Sequence, residues 1–287
     1  MNTQKLKLYA KLMRLDKPIG IYLLLWPALI ALWIAGQGKP DPFIVSIFIL
    51  GVIVMRSAGC VINDIADKEF DKSVARTKNR PLAAGLLSRK EAFLLFFLLI
   101  NIAFILVLQL NFLTIAMSFA ALLLASIYPF MKRYTHLPQV VLGAAFGWAV
   151  PMAFTAITQR VPSQAWVLYL ATICWSLVYD TEYAMADIKD DVLIGIKSTA
   201  IFFGSLDKLI IGLFQFLTLA FFAMIGANLG FGKFFFGGIF IASLIAFYQQ
   251  YLIKDRNANQ CFKAFLNNNW FGFVLFLGVM LDHYLLF

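Results

Sequence analysis

The chain is short of charge. Of its 287 residues only 14% are Asp, Glu, Lys or Arg, whereas 62% are hydrophobic and 16% aromatic. Mean hydropathy is +0.82. That balance leaves too little polar surface for a soluble domain and fits a polytopic membrane protein. Cysteine is scarce too: Cys60, Cys174 and Cys261, an odd count with no CxxC pair. This excludes a disulfide framework and a cysteine-based zinc site. No Ser/Gly-rich or charged linker divides the chain, so residues 1–287 read as one domain. No small-residue cleavage site follows the first apolar run, so no removable signal peptide is expected. The net charge of +9 would suggest nucleic acid in a soluble protein. Here the cations have another explanation, membrane orientation, and no nucleic-acid partner is expected.

What is present is a series of apolar runs. Nine have about spanning length, near 19–36, 43–63, 92–110, 112–131, 137–157, 164–184, 208–227, 231–252 and 269–287. Helices are the default spanning element, because each satisfies its own backbone. The expected fold is therefore all-α, with nine transmembrane helices in one bundle. Pro27, Pro129 and Pro151 should kink or end their helices. Gly143 and Gly147, four apart, permit close helix packing. Residues 1–18 alternate Leu6, Tyr9, Leu12 and Met13 with Lys5, Lys7, Lys11 and Arg14, which reads as a basic interfacial helix lying on an anionic leaflet. With nine crossings, most Lys and Arg fall on one side, and only Lys39, Arg160 and Lys233 fall on the other. The positive-inside rule then puts the amino terminus in the cytoplasm and the carboxyl terminus outside.

The few acids are not spread evenly. Asp64, Asp67, Glu69 and Asp71 lie in one window, and Asp180, Glu182, Asp187, Asp190 and Asp191 in another. Asn63, Asp67 and Asp71 are spaced by four and share a helix face; Asp180, Asp187 and Asp191, spaced by seven and four, share another. Carboxylates beside a bilayer repel one another and are costly to desolvate, so something cationic must hold them. Mg²⁺ suits two such stripes, because it takes a few carboxylates and completes its shell with waters and phosphate oxygens. An EF-hand does not fit, since the alternate-position ligands and the sixth-position Gly are missing. The plain alternative is a charged, solvated cytoplasmic loop. Superposing Asp67 on Asp187 puts Asp71 on Asp191, a weak internal echo that hints at duplication around a central site.

Cations surround these windows. Arg76, Lys78 and Arg80 follow the first, Lys197 follows the second, Tyr128, Lys132 and Arg133 close the fourth run, and Arg14 closes the amino-terminal segment. A metal alone needs no such ring, whereas a diphosphate bridging metal ions does. For any one cation, topology and lipid headgroups are the competing explanation, and Lys72, Lys78, Arg89 and Lys90 are left to it. Arg56 differs. It lies seven residues before Asn63, on the same face and two turns deeper, where an unpaired cation costs roughly 2.5–3.5 kcal/mol. A substrate carboxylate is one partner for it; snorkelling, or pairing with Asp67 or Asp71, is the other reading.

Two stretches carry a resemblance. NDIADKEFD at 63–71 is similar to the NDxxDxxxD signature of UbiA-type intramembrane aromatic prenyltransferases, and DTEYAMAD at 180–187 to their DxxYxxxD. RLDKPIG, MRSAGCVIND, RTKNRPL, YPFMKR and GIKSTA extend the likeness over nearly the whole chain, toward the branch that acts on 4-hydroxybenzoate. Ile188-Lys189 replaces a more acidic stretch of relatives. The resemblance implies a central cavity with a lateral opening to lipid. It implies transfer of a polyprenyl group from its diphosphate to the ring carbon ortho to the hydroxyl of 4-hydroxybenzoate, in ubiquinone biosynthesis. It further implies that Asn63, Asp67, Asp71, Asp180 and Asp187 hold Mg²⁺ and diphosphate. Arg14, Arg76, Tyr128, Lys132 and Lys197 would contact diphosphate oxygens, Arg56 would hold the benzoate carboxylate, and Asp187 or Asp191 would assist the phenol. The implied location is a bacterial inner membrane, with polyprenyl diphosphate, 4-hydroxybenzoate and lipid as partners and the active site facing the cytoplasm. Relatives using dihydroxynaphthoate, homogentisate or haem are the rival enzymes. A cation-coupled transporter is the rival from another class, disfavoured because the acids lie at helix ends and not at the midplane.

Overall fold

The computed structural model describes residues 3–72, 77–195 and 197–286, except for the side chains of Lys132, Asp190, Ile194 and Leu286. Arg76 therefore lies outside the described residues, as does the side chain of Lys132. Among the described residues the regular structure is all helical. In chain order the helices are α1 (Thr3–Leu12), α2 (Ile19–Ala35), α3 (Pro42–Asp71), α4 (Arg89–Val107), α5 (Phe112–Tyr134), α6 (Pro138–Gly147), α7 (Ala149–Thr158), α8 (Ser163–Ile194), α9 (Thr199–Phe203), α10 (Asp207–Leu229), α11 (Lys233–Ile253) and α12 (Ala258–Leu286).

Local chemistry sets many of the starts. Asp41 accepts from Phe43 N at 2.8 Å ahead of α3, with Pro42 in the first turn. Ser88 and Glu91 form a reciprocal capping box on α4. Asn111 caps α5 through Thr114 N. The cap of α11 comes from another helix: Asp282 of α12 accepts from the backbone N–H of Gly232, Phe234 and Phe235.

Among the described residues, seven helices are long and apolar enough to cross a membrane, with α6 and α7 taken as one and α9 leading into α10. The sequence led us to expect nine. The two that differ are α2 and α8. Helix α2 has 17 residues and rises about 25 Å, the short end of what spans a bilayer. Helix α8 has 32 residues, but its second half carries the charged window from Asp180 to Asp191. The fifth run is also not one continuous helix. It breaks at Trp148, between α6 and α7, because Pro151 lacks an N–H for the Gly147 carbonyl and its ring crowds it. Pro27 and Pro129 stay inside α2 and α5. At the other end α12 begins at Ala258, well ahead of the apolar run that announced it. Gln260, Lys263 and Asn267–Asn269 mask the helix in a hydropathy reading.

Two apolar clusters hold the bundle. The larger draws on α2, α3, α7, α8, α10, α11 and α12, around Ile30, Leu168, Ile211, Phe235 and Phe271. The smaller joins α1 to α3 and α4 through Leu12, Val61, Ile65, Leu82 and Leu99. Leu8, Tyr9 and Met13 pack against it, so much of the apolar face of α1 rests on protein, and Lys5 pairs with Glu91 at 2.6 Å. Gly143 and Gly147 let α6 lie against α8: a Cβ at Gly143 would stand 3.1 Å from Ser176 Cβ, and one at Gly147 3.0 Å from the Tyr169 ring. Helices α4 and α5 turn Leu94, Ile105, Phe119 and Leu123 outward, each more than half exposed, as a lipid-facing surface requires.

Candidate active site

The long helices α3 and α8 carry their charged ends to one shared cavity. A cavity of about 880 Å³ is lined by Asn63, Asp64, Asp67 and Asp71 of α3 and by Asp180, Asp187 and Asp191 of α8. The two acidic windows, more than a hundred residues apart in sequence, thus face one space. Arg14, Arg56, Tyr128 and Lys197 line it as well. Every expected site residue whose side chain is described is therefore on this wall. From the charged end the lining continues over Ile47, Phe48, Ile100, Val107, Phe119 and Leu122, an apolar arm between α3, α4 and α5.

The acidic wall on α3 is buried: Asp64, Asp67 and Asp71 are 1%, 2% and 6% exposed. Buried carboxylates need partners, and two arginines supply them for Asp64 and Asp71. Arg14 Nη2 donates to both oxygens of Asp64, and Arg80 Nη1 donates to Asp64 at 3.1 Å and to Asp71 at 2.8 Å. Burial opposes the Arg80 charge, but Asp64 and Asp71 outweigh it and raise its pKa above that of an ordinary arginine. Arg133 donates to the Ala66 carbonyl at 2.7 Å and stands 4.0 Å from Asp67. Lys197 reaches the Tyr134 carbonyl at 3.5 Å.

Sequence reasoning named Asp64 in the first acidic window and Arg80 in the ring of cations after it, but placed neither among the site residues. Asp64 is one residue on from Asn63 and so falls outside the four-residue stripe. Arg80 lies in the segment between α3 and α4, where no periodicity marks it; its place in RTKNRPL was the available signal.

Deeper in the cavity, Arg56 Nη1 donates to Cys60 Sγ at 2.8 Å, and its guanidinium carbon lies 5.6 Å from the centre of the Phe146 ring. Its Nε is buried without a protein partner. On the α8 side Gln139 accepts from Thr199 N at 3.2 Å and lines the cavity with Asp180, while Thr181 and Thr199 share a 2.7 Å hydroxyl bond. Glu182 points the other way. It is fully buried and accepts from Asn268, whose oxygen accepts from Trp175 Nε1.

Among the described residues, no three His, Cys, Asp or Glu side chains are grouped closely enough to hold a metal ion by themselves. The expected cage of Asn63, Asp67, Asp71, Asp180 and Asp187 is thus not preformed, and Arg80 stands on Asp71. The donor set still fits Mg²⁺. That ion keeps several waters and is usually bound by one or two carboxylates plus substrate phosphates, and this cavity offers oxygen donors beside cations suited to phosphate.

A profile of the UbiA prenyltransferase family matches residues 24–277. The chain belongs to this family. Among UbiA-family relatives it is 59% identical over 282 residues to the 4-hydroxybenzoate octaprenyltransferase of Nitrosococcus oceani, covering 98% of this chain and 99% of that one. It is 57% identical to the enzyme of the same name from Saccharophagus degradans, with 96% and 92% covered. Among solved structures, a UbiA homologue from Aeropyrum pernix superposes with a TM-score of 0.80 at 23% identity, over 92% of this chain and 97% of the other. A homologue from Archaeoglobus fulgidus bound to GPP and Mg²⁺ superposes with a TM-score of 0.71 at 17% identity, over 93% and 99%. These two likenesses fix the UbiA fold.

Proposed function

We propose that this UbiA-family protein is a 4-hydroxybenzoate polyprenyltransferase of ubiquinone biosynthesis. The observation that carries this reading is 53–59% identity to bacterial 4-hydroxybenzoate octaprenyltransferases along almost the full length of both chains. The enzyme takes a polyprenyl diphosphate and 4-hydroxybenzoate from or beside the membrane. The allylic C–O bond to diphosphate breaks, a C–C bond forms ortho to the phenol hydroxyl, and the ring carbon loses its proton. The names of these relatives make an octaprenyl chain the donor to test first.

Each residue class has a task in this reading. Arg14, Arg80 and Lys197, with Arg76 and Lys132, meet the diphosphate oxygens and stabilise the charge that gathers on the leaving group. Asn63, Asp67, Asp71, Asp180 and Asp187 are the carboxylate and amide donors for a divalent ion. Mg²⁺, when bound, supplies further neutralisation of the leaving diphosphate. The Archaeoglobus fulgidus homologue, which carries Mg²⁺ with GPP, supports assigning metal dependence to this chain. The apolar arm along α3, α4 and α5 takes the isoprenoid and keeps water from the allylic cation. Arg56 pairs its guanidinium with the benzoate carboxylate. Asp187 or Asp191 weakens the phenol O–H or accepts the ring proton.

Membrane placement follows from the same reading. Helix α2 and the apolar half of α8 cross the membrane with the other seven, giving nine crossings. Both acidic windows and the amino terminus then face the cytoplasm of a bacterial inner membrane, and the basic face of α1 meets the anionic leaflet. An assay of membranes bearing the protein tests the function. We expect label to pass from an octaprenyl diphosphate to 4-hydroxybenzoate, and transfer to stop with chelator. Product from dihydroxynaphthoate or homogentisate alone would refute the assignment.

A further inference from the structure

The Arg56 guanidinium sits in a seat with three sides. Cys60, one turn further along α3, takes Nη1 through its sulfur at 2.8 Å. The Phe146 ring of α6 lies 5.6 Å from the guanidinium carbon. The third side is α2, and the residue there is Gly20. A Cβ placed on Gly20 would overlap Arg56 Nε and stand 2.6 Å from Nη2. The Nε–Nη2 edge of the guanidinium therefore lies where a side chain of residue 20 would begin.

Backbone geometry does not call for glycine at this point. Gly20 has ordinary helical φ, and alanine is the better helix former. Space for Arg56 is what excludes a side chain. Gly20 and Arg56 both line the cavity, and Nε is buried with its hydrogen-bond capacity unused by the protein. With the Nε–Nη2 edge seated against α2, the Nη1–Nη2 end of the guanidinium is the part left to meet a carboxylate.

We propose that Gly20 is a positioning residue for the acceptor. By leaving its Cβ position empty, it lets the Nε–Nη2 edge of Arg56 seat against α2, which fixes where the rest of the guanidinium meets the cavity and so sets affinity for the aromatic acid. The inference rests on reading Arg56 as the partner of the benzoate carboxylate, and it assigns the geometry of that contact to α2. The atoms a Cβ would meet are at the end of a flexible side chain, so a substituted protein relieves the overlap by rotating Arg56 and keeps its fold.

The test uses the full chain in membranes, with Gly20→Ala, Arg56→Lys and the double variant, and separate KM values for 4-hydroxybenzoate and for polyprenyl diphosphate. In Gly20→Ala we expect the KM for 4-hydroxybenzoate to rise about tenfold or more, the scale of one charge-assisted hydrogen bond, with the diphosphate KM within twofold of wild type. Lysine has no guanidinium to seat against α2, so adding Arg56→Lys to Gly20→Ala should cost much less than it does in the wild type. An unchanged 4-hydroxybenzoate KM in Gly20→Ala, with a raised one in Arg56→Lys, overturns the role of Gly20 and leaves that of Arg56 standing. Unchanged values in both overturn the reading of Arg56 and this inference with it. Equal losses for both substrates together with a lower Tm would make Gly20 a packing residue and overturn the proposal.

Discussion

Arg14 donates to both carboxylate oxygens of Asp64, at 2.9 and 3.0 Å. The pair ties the segment after α1 to the cavity end of α3. Arg80 adds a third contact to the same carboxylate and extends it to Asp71. Asp64 is 1% exposed, so it is a buried anion held by two cations that also face the cavity. Asp64→Asn should release Arg14 and loosen Arg80. Breaking a buried ion pair costs about 3–5 kcal/mol, and partial exposure of both arginines puts this case at the low end. We expect a lower Tm in detergent and a roughly tenfold higher KM for polyprenyl diphosphate. An unchanged diphosphate KM would show that Asp64 has no part in ordering the cations.

Asp67 and Asp187 both line the cavity, one from each acidic window. Alanine at either position should lower kcat about 10²–10³-fold, the usual scale for losing one electrostatic contact to a leaving group. Initial rates at saturating substrates check this, with the variants folded to the same extent as the wild type.

Asn268 joins Trp175 Nε1 to Glu182 in a buried network outside the cavity. Asn268→Leu leaves both groups unpaired, at roughly 1–3 kcal/mol each. We expect a drop in Tm with both KM values near wild type. A selective change in one KM would bring this network into the site.

Gly143 and Gly147 allow α6 to approach α8. Gly143→Leu would push a side chain against Ile173 and Ser176, and overpacking costs typically 1–3 kcal/mol. Because Gln139 of α6 accepts from Thr199 N and lines the cavity beside Asp180, the variant should lose kcat as well as Tm. Thermal unfolding and turnover of the same preparation decide it.

The helical period made much of this site legible in the sequence. Spacings of four and seven placed Asn63, Asp67 and Asp71 on one stripe and Asp180, Asp187 and Asp191 on another, and the cavity receives both. The depth of Arg56 was equally readable, because a cation two turns below a charged window has few partners. What escaped had no period to reveal it. Arg80 reaches Asp64 and Asp71 from an irregular segment. The break at Trp148 depends on how Pro151 is seated against Gly147. The start of α12 was hidden because Asn267, Asn268 and Asn269 look polar in sequence, yet spend their amides on Gln249, on Glu182 and Trp175, and on Trp26. The count of spans, nine expected against seven long apolar helices among the described residues, differed in part for a related reason, since α8 joins an apolar half to a charged half in one helix.

The central claim is that both windows grip one divalent ion and the diphosphate it carries. Binding of a non-reactive prenyl thiolodiphosphate, with and without Mg²⁺, to the wild type, Asp67→Asn and Asp187→Asn tests it most directly. The account expects binding in the wild type to depend on Mg²⁺ and to weaken at least tenfold in each variant. Binding that ignores Mg²⁺, or a variant from either window that binds like the wild type, would contradict it.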